Sequence, residues 1–178
     1  MEQFDILDKN GNPTGLTADK GSRLSRGQYY LGTHAYILNS SLEFLIQQRA
    51  FTKKFLPGGW DVHLEHVIAG ETSQECVLRG LDEEIGLFVS EADILTHKRF
   101  VWEEYNHLID VYFFQVEFEL NLLTLQKDEV VDVKAVPLDD MSALVSKMHY
   151  RPDEYRQYIM GEIKRLSRKV KNAAKRTI

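Results

Sequence analysis

Residues 65–87 read EHVIAGETSQECVLRGLDEEIGL, and this stretch decides the fold that we expect for the chain. Thr72 and Glu75 have the spacing of a capping box, in which each residue bonds the backbone of the other at a helix start. Gly86 is a good C-terminal stop, because glycine adopts the left-handed conformation that ends many helices. Together these signals predict a helix over residues 73–85.

The predicted helix has one apolar side. Val77, Leu81 and Ile85 are four residues apart and therefore form the stripe that we expect to be buried. Cys76 lies on the same helix and is interpreted as a small packed residue rather than a nucleophile or metal ligand. As the only cysteine, it excludes an internal disulfide and fits a reducing compartment.

Several carboxylates are predicted beside one end of this helix. Such groups repel one another unless a cation lies among them, and a hard cation such as Mg²⁺ takes oxygen ligands and also binds phosphate oxygens. Arg79 precedes Glu83 by four residues, so its guanidinium could hold that carboxylate in one orientation. The alternative interpretation is a solvated helix face with a single ion pair.

The stretch resembles the Nudix box, whose pattern is G x5 E x7 R E U x E E x G U, where U is a bulky apolar residue. Seven of the nine defined positions agree. The residues that match are Glu71, Arg79, Leu81, Glu83, Glu84, Gly86 and Leu87.

Two positions depart from that pattern. Glu65 stands where the box has its first glycine, and Gly80 stands where it has a glutamate. Position 80 is three and four residues before Glu83 and Glu84, so all three are expected on one face. Glycine in a helix interior also costs about 1 kcal/mol relative to alanine. Either Glu65 or another acid supplies the missing charge, or the chain is a catalytically impaired Nudix module that binds a nucleotide or a protein partner.

The remaining sequence predicts an N-terminal hairpin with an Asn10-Gly11 turn, then strands, the box helix, more strands and two closing helices. The strands are predicted at residues 31–39, 43–49, 60–67, 97–102, 107–118 and 129–136, and the closing helices at 138–148 and 153–174. This order agrees with the α/β Nudix fold, a mixed sheet sandwiched between helices. The resemblance implies a Nudix domain at residues 29–148, a hairpin extension at 1–28 and a basic C-terminal helix at 149–178.

The segments FDILDKNGNPTG (residues 4–15), QQR (47–49) and KKFLPGGWDV (53–62) resemble the Nudix branch related to isopentenyl diphosphate isomerase. Isomerases of that branch use a cysteine on the strand before the box. The strand WDVHLEHV has none, so hydrolysis is the better inference. His63 and His66 flank Glu65, are predicted on the same strand face and are interpreted as structural.

The resemblance implies attack of a metal-activated water on a phosphorus of a small-molecule diphosphate, with Mg²⁺ as cofactor and Mn²⁺ as an alternative. Glu129 is a candidate general base, and Arg49 and Lys53 are candidates for binding the substrate phosphate. Arg79 and Glu83 are assigned to catalysis. The metal is assigned to Glu65, Glu71, Glu83 and Glu84, although Glu71 could instead brace its loop.

Composition and charge limit the expected location and partners of the protein. No apolar run is long enough to span a bilayer, and the acidic N-terminus lacks the basic start of a signal peptide, so a cytoplasmic protein is expected. Residues 151–178 hold nine Lys or Arg and three Asp or Glu, a charge of +6. Because the whole chain has a net charge of −5, residues 1–150 carry −11. The basic helix is expected to dock on the core with its charges in solvent; contact with RNA or with an acidic membrane through it is the minority alternative. A homodimer is compatible with the resemblance.

Overall fold

The N-terminal hairpin forms as predicted. In the computed structural model, which describes residues 2–174 and side-chain burial up to residue 168, β1 (Gln3–Leu7) and β2 (Pro13–Asp19) pair antiparallel as a separate two-stranded sheet. The turn between them is held by Asp8, whose carboxylate accepts hydrogen bonds from the backbone nitrogens of Asn10 and Asn12. Gly11 has φ of +84°, a conformation that favours glycine.

Within the part of the chain that the structure describes, the main sheet has seven strands. They are β3 (Tyr30–Leu38), β4 (Glu43–Arg49), β5 (Trp60–Asp61), β6 (His63–His66), β7 (Ile94–Trp102), β8 (His107–Gln115) and β9 (Val130–Pro137). Their order is β5-β4-β3-β8-β7, with β6 also paired to β3 and β9 to β4. The β3–β8 pair is parallel and the others are antiparallel, so the sheet is mixed, as predicted.

Helices cover both faces of this sheet. On one face, α1 (Ser73–Ile85) buries the predicted stripe against β3 and β8. On the other face, α2 (Leu138–Lys147) and α3 (Asp153–Ala174) pack against Tyr36, Phe44 and Phe113. The layered architecture is therefore the predicted one.

One predicted strand is wrong. Residues 60–67 do not form a single strand, because the chain changes partners at Val62. Before it, β5 pairs with β4, and after it, β6 pairs with β3, with His63 opposite Ala35. The corner matters for the site because it places His63 and Glu65 against the C-terminal half of α1, at Gly80.

The C-terminal helix docks on the core. Tyr155, Ile159, Ile163 and Leu166 of α3 are buried, as expected for its apolar side. The side chains of Lys169, Val170 and Lys171 lie outside the described residues. Within residues 2–174, no helix is long and apolar enough to cross a bilayer.

Candidate active site

A cavity of about 850 Å³ opens beside α1, β6 and the loop after β4. It is lined by every candidate residue from the sequence except Glu71: Arg49, Lys53, Glu65, Arg79, Glu83, Glu84 and Glu129. Residues that lie up to 80 positions apart in the chain therefore share one concave surface, which is the usual form of a small-molecule site.

The helix that carries Arg79, Glu83 and Glu84 is fixed at both ends. Thr72 Oγ1 accepts from the Glu75 backbone nitrogen at 3.2 Å, and the Glu75 carboxylate accepts from the Thr72 backbone nitrogen at 2.9 Å. Gly86 ends the helix with φ of +66°. The capping box and the glycine stop were both predicted, and they set the direction of each side chain on α1.

Arg79 lies between two carboxylates. Its Nε and Nη2 donate to the two oxygens of Glu71 at 2.8 and 3.0 Å, and its Nη1 donates to Glu83 at 3.0 Å. The orienting contact predicted between Arg79 and Glu83 is present. Glu71 also accepts from the Ile68 backbone nitrogen at 3.2 Å, so its carboxylate is engaged on the loop side, outside the cavity lining.

Glu84 is buried at 6% exposure and is held from β4 and β6. His63 Nδ1 lies 3.4 Å from Glu84 Oε2, and Gln47 Nε2 donates to the same oxygen at 3.3 Å. Burial alone would raise the pKa of Glu84, but the charge and hydrogen bond of His63, together with Gln47, hold that pKa below its ordinary value. Glu84 is therefore kept as a carboxylate although it is buried.

Glu65 has the opposite electrostatic environment. Burial and the negative charge of Glu84 raise the pKa of Glu65. Its Oε1 accepts from the backbone nitrogen of His66 at 2.6 Å. Two neighbouring carboxyl groups thus have pKa values that are pushed apart, a common feature of functional sites.

Gly80 packs directly against β6. A Cβ atom at this position would lie 2.7 Å from His63 Nε2 and 3.1 Å from Glu65 Cγ. The expectation that residues 80, 83 and 84 share one face is therefore correct only in part: Gly80 and Glu84 face β6, whereas Glu83 turns toward Arg79 and solvent.

His63 and His66 do not lie on one strand face, contrary to the sequence expectation. Side chains alternate along β6, so His63 shares the α1 side with Glu65, while His66 points the other way. His66 Nε2 lies 3.2 Å from His107 Nε2, and its ring packs on Phe4. His66 and His107 line both the main cavity and a smaller one of about 410 Å³.

Basic residues also line the cavity. Lys53 forms an ion pair with Glu129, and the Ala50 backbone nitrogen donates to the Glu129 carbonyl at 2.8 Å, so the loop after β4 is tied to the segment before β9. Arg49 Nε donates to the Phe55 carbonyl at 3.0 Å. Arg49 and Lys53 can therefore contribute positive charge to the cavity that the α1 carboxylates also line.

The sequence did not reveal a buried polar cluster of which two members line the cavity. Arg151 is 3% exposed and donates to Asp61, which is fully buried, at 2.7 Å. Tyr155 lies within hydrogen-bond distance of His34 at 2.7 Å, and the hydroxyl of Tyr150 donates to Asp61 at 3.2 Å. Arg151 and His34 line the cavity. No local pattern marks them, because Arg151 meets its partner 90 residues away.

The donors present suit a hard divalent cation. Glu65, Glu83 and Glu84 offer carboxylate oxygens to one cavity, and oxygen is the ligand that Mg²⁺ prefers. Among the described residues, no three His, Cys, Asp or Glu side chains already form a ligand cluster. These carboxylates therefore suit Mg²⁺ in the type and location of their oxygen atoms. Their side chains would have to rotate to form a complete set of metal ligands.

The family model for the NUDIX domain matches residues 29–158. An uncharacterised Nudix hydrolase of Listeria monocytogenes is 33% identical over 153 residues, which cover 85% of this chain and 89% of that protein. An isopentenyl-diphosphate Delta-isomerase of Photorhabdus laumondii is 29% identical over 106 residues, which cover 59% of this chain and 60% of that protein.

Solved structures share the fold. A Deinococcus radiodurans protein has a TM-score of 0.65 at 14% identity and covers 92% of this chain and 98% of its own. A MutT protein of Methanosarcina mazei has a TM-score of 0.58 at 24% identity and covers 78% of this chain and 95% of its own. At these identities, the likeness is one of architecture.

Proposed function

The chain belongs to the Nudix family, whose members are generally metal-dependent pyrophosphohydrolases, and on that premise we propose that it hydrolyses the diphosphate linkage of an organic substrate. The substrate we expect is a nucleoside diphosphate joined to a second group, or a related organic diphosphate. The observation that supports this proposal is the shared cavity, which is lined by the α1 carboxylates together with Arg49 and Lys53.

Each side chain has a role in this proposal. Glu65, Glu83 and Glu84 would hold Mg²⁺, or Mn²⁺ in its place. When bound, such a cation neutralises phosphate oxygens and lowers the pKa of a bound water. Arg49 and Lys53 would bind the substrate phosphates, Arg as a fork and Lys as a point charge.

Three further residues orient the ligands or take part in proton transfer. Arg79 orients Glu83, and Glu71 braces Arg79 from the loop; the engaged oxygens of Glu71 favour this role over that of a metal ligand. Glu129 lines the cavity and would accept the proton of the attacking water while the bond between phosphorus and the bridging oxygen breaks.

The sequence has no cysteine on the strand before the box, where isomerases of the related branch use one. The only cysteine is Cys76, which is fully buried on α1 with its Sγ 3.7 Å from Thr33 Oγ1. Burial also raises the pKa of its thiol, which keeps it protonated.

The test is a screen of nucleoside diphosphates and triphosphates, dinucleotides, sugar nucleotides and prenyl diphosphates, with Mg²⁺ and with Mn²⁺. We expect metal-dependent release of a phosphate product, and we expect Glu84→Gln to lower kcat at least about 100-fold. Asp82→Asn is the matched control, because Asp82 is an exposed acid on the same helix. Substrate-induced stabilisation without any product would instead indicate a binding module.

A further inference from the structure

We propose that His63 is a positioning residue that holds the carboxylate of Glu84 at the cavity wall, and that Gly80 is the residue that leaves room for its ring. The inference rests on the proposed function, since Glu84 is taken as a metal ligand. It gives a physical reason for the departure from the box at position 80.

The side chains of His63, Gln47 and Glu84 all contact one another. His63 is 2% exposed, and its Nδ1 lies 3.3 Å from Gln47 Oε1 and 3.4 Å from Glu84 Oε2. Gln47 Nε2 donates to the same Glu84 oxygen at 3.3 Å. The three side chains come from β4, β6 and α1, so the position of Glu84 is fixed from two strands as well as by its own helix.

The other ring nitrogen of His63 points at Gly80. His63 Nε2 is buried and has no hydrogen-bond partner among the described residues. A buried nitrogen without a partner is unfavourable, so packing and hydrogen bonding elsewhere on the ring must hold it there. A Cβ at position 80 would approach this nitrogen to 2.7 Å, which is closer than real Cβ contacts allow. The same Cβ would lie 3.1 Å from Glu65 Cγ and 3.2 Å from Glu65 Cβ, so a residue larger than glycine would have to move the His63 ring and press on the Glu65 side chain.

The position of the His63 ring gives Gly80 a structural role. A glutamate at this position would crowd His63 Nε2 and the Glu65 side chain, and a shift of the ring would disturb its contact with Glu84. Gly80 thus does not merely lack a carboxylate; it is part of an arrangement in which an imidazole supports the remaining buried ligand from behind. Partners of this kind orient metal ligands, and their loss typically weakens metal binding about 10- to 100-fold.

The first test compares two substitutions at position 63 and measures Mn²⁺ binding by electron paramagnetic resonance, with thermal unfolding in parallel. His63→Asn keeps an N–H donor near the place of Nδ1, whereas His63→Leu keeps the bulk and removes the donor. We expect the Kd for Mn²⁺ to rise about 10-fold or more in His63→Leu and to stay within about threefold in His63→Asn.

The second test uses the contact with Gly80 and does not need the Leu variant to fold. In most helix interiors, Gly→Ala stabilises the protein. Here we expect Gly80→Ala to lower Tm by about 3 °C or more and to weaken Mn²⁺ binding about 10-fold. The double variant Gly80→Ala/His63→Asn should recover both properties, because the smaller side chain accepts the new methyl group.

The outcomes separate this inference from the function on which it rests. A wild-type protein that binds no Mn²⁺ overturns the proposed metal site, and with it the positioning role. A wild-type protein that binds Mn²⁺, with His63→Leu or Gly80→Ala binding as tightly as wild type, overturns the positioning role alone. Equal losses of Mn²⁺ affinity in His63→Asn and His63→Leu would also overturn the positioning role, since a hydrogen-bond donor to Glu84 would then make no difference to metal binding.

Discussion

Arg79 and Glu71 form a two-point ion pair, with Arg79 Nε 2.8 Å from Glu71 Oε1 and Nη2 3.0 Å from Oε2. Eight residues separate them in sequence, and the loop before α1 brings them together. Because the same guanidinium also binds Glu83, the loop, the helix and a candidate metal ligand are mechanically linked.

The first prediction concerns this link. We expect Glu71→Gln and Arg79→Lys each to lower kcat/KM about 10-fold, because either change breaks the two-point contact that orients Glu83. The double variant should also lose about 10-fold rather than about 100-fold, since the two residues act as one unit. Steady-state kinetics of the four proteins measure this. Additive losses would instead favour a separate role for Glu71, such as metal ligation.

The second prediction concerns the general base. Glu129→Gln should lower kcat about 100-fold, because the amide cannot take the proton of the attacking water. The Kd for Mn²⁺ should be unchanged. Asp128→Asn is the control, as Asp128 is the exposed neighbour in the chain. A rise in KM with kcat preserved would show that Glu129 serves only to place Lys53.

The third prediction concerns the buried pair of Arg151 and Asp61. Arg151→Met should lower the free energy of unfolding by about 3–5 kcal/mol, because it leaves the carboxylate of Asp61 buried without its cation. Asp61→Asn/Arg151→Met should recover part of that loss, since no buried charge then remains unpaired. Urea unfolding measures both. A loss below about 1 kcal/mol for the single variant would contradict the proposed importance of the pair.

The fourth prediction concerns pH. Burial, with the nearby charge of Arg151, lowers the pKa of His34 well below its ordinary value. The unfolded chain therefore binds a proton at His34 below about pH 6.5 while the folded protein does not, so stability falls as pH falls through this window. The contribution is about 1.4 kcal/mol per pH unit for one proton.

The variant His34→Gln should remove the contribution of His34 to the change of unfolding free energy with pH. The measurement is the free energy of unfolding in urea at several pH values between 6.5 and 5. His149→Gln is the control, because His149 is exposed. An unchanged slope in His34→Gln would mean that His34 is protonated in the folded protein over this range.

The sequence predicted those parts of the site that depend on local rules. The α1 boundaries followed from Thr72, Glu75 and Gly86, because capping depends on residues within one turn of the helix end. The contact of Arg79 with Glu83 followed from their spacing of four residues. These interactions need no information about the rest of the fold.

The prediction failed where a strand changes partner. The run WDVHLEHV has the composition of one strand, yet its two halves pair with different neighbours. That corner depends on where β3 and β4 lie in the sheet. The prediction that His63 and His66 share a face was wrong because strand alternation separates them.

The sequence by itself determined that a capped helix bears Arg79, Glu83 and Glu84, and that the chain has the pattern of a Nudix domain. Only the tertiary structure decided that Gly80 faces the imidazole of His63 and that Arg151 neutralises Asp61. The physical reason is that helix signals act over one or two turns, whereas these contacts join elements whose distance is set by packing on the shared sheet.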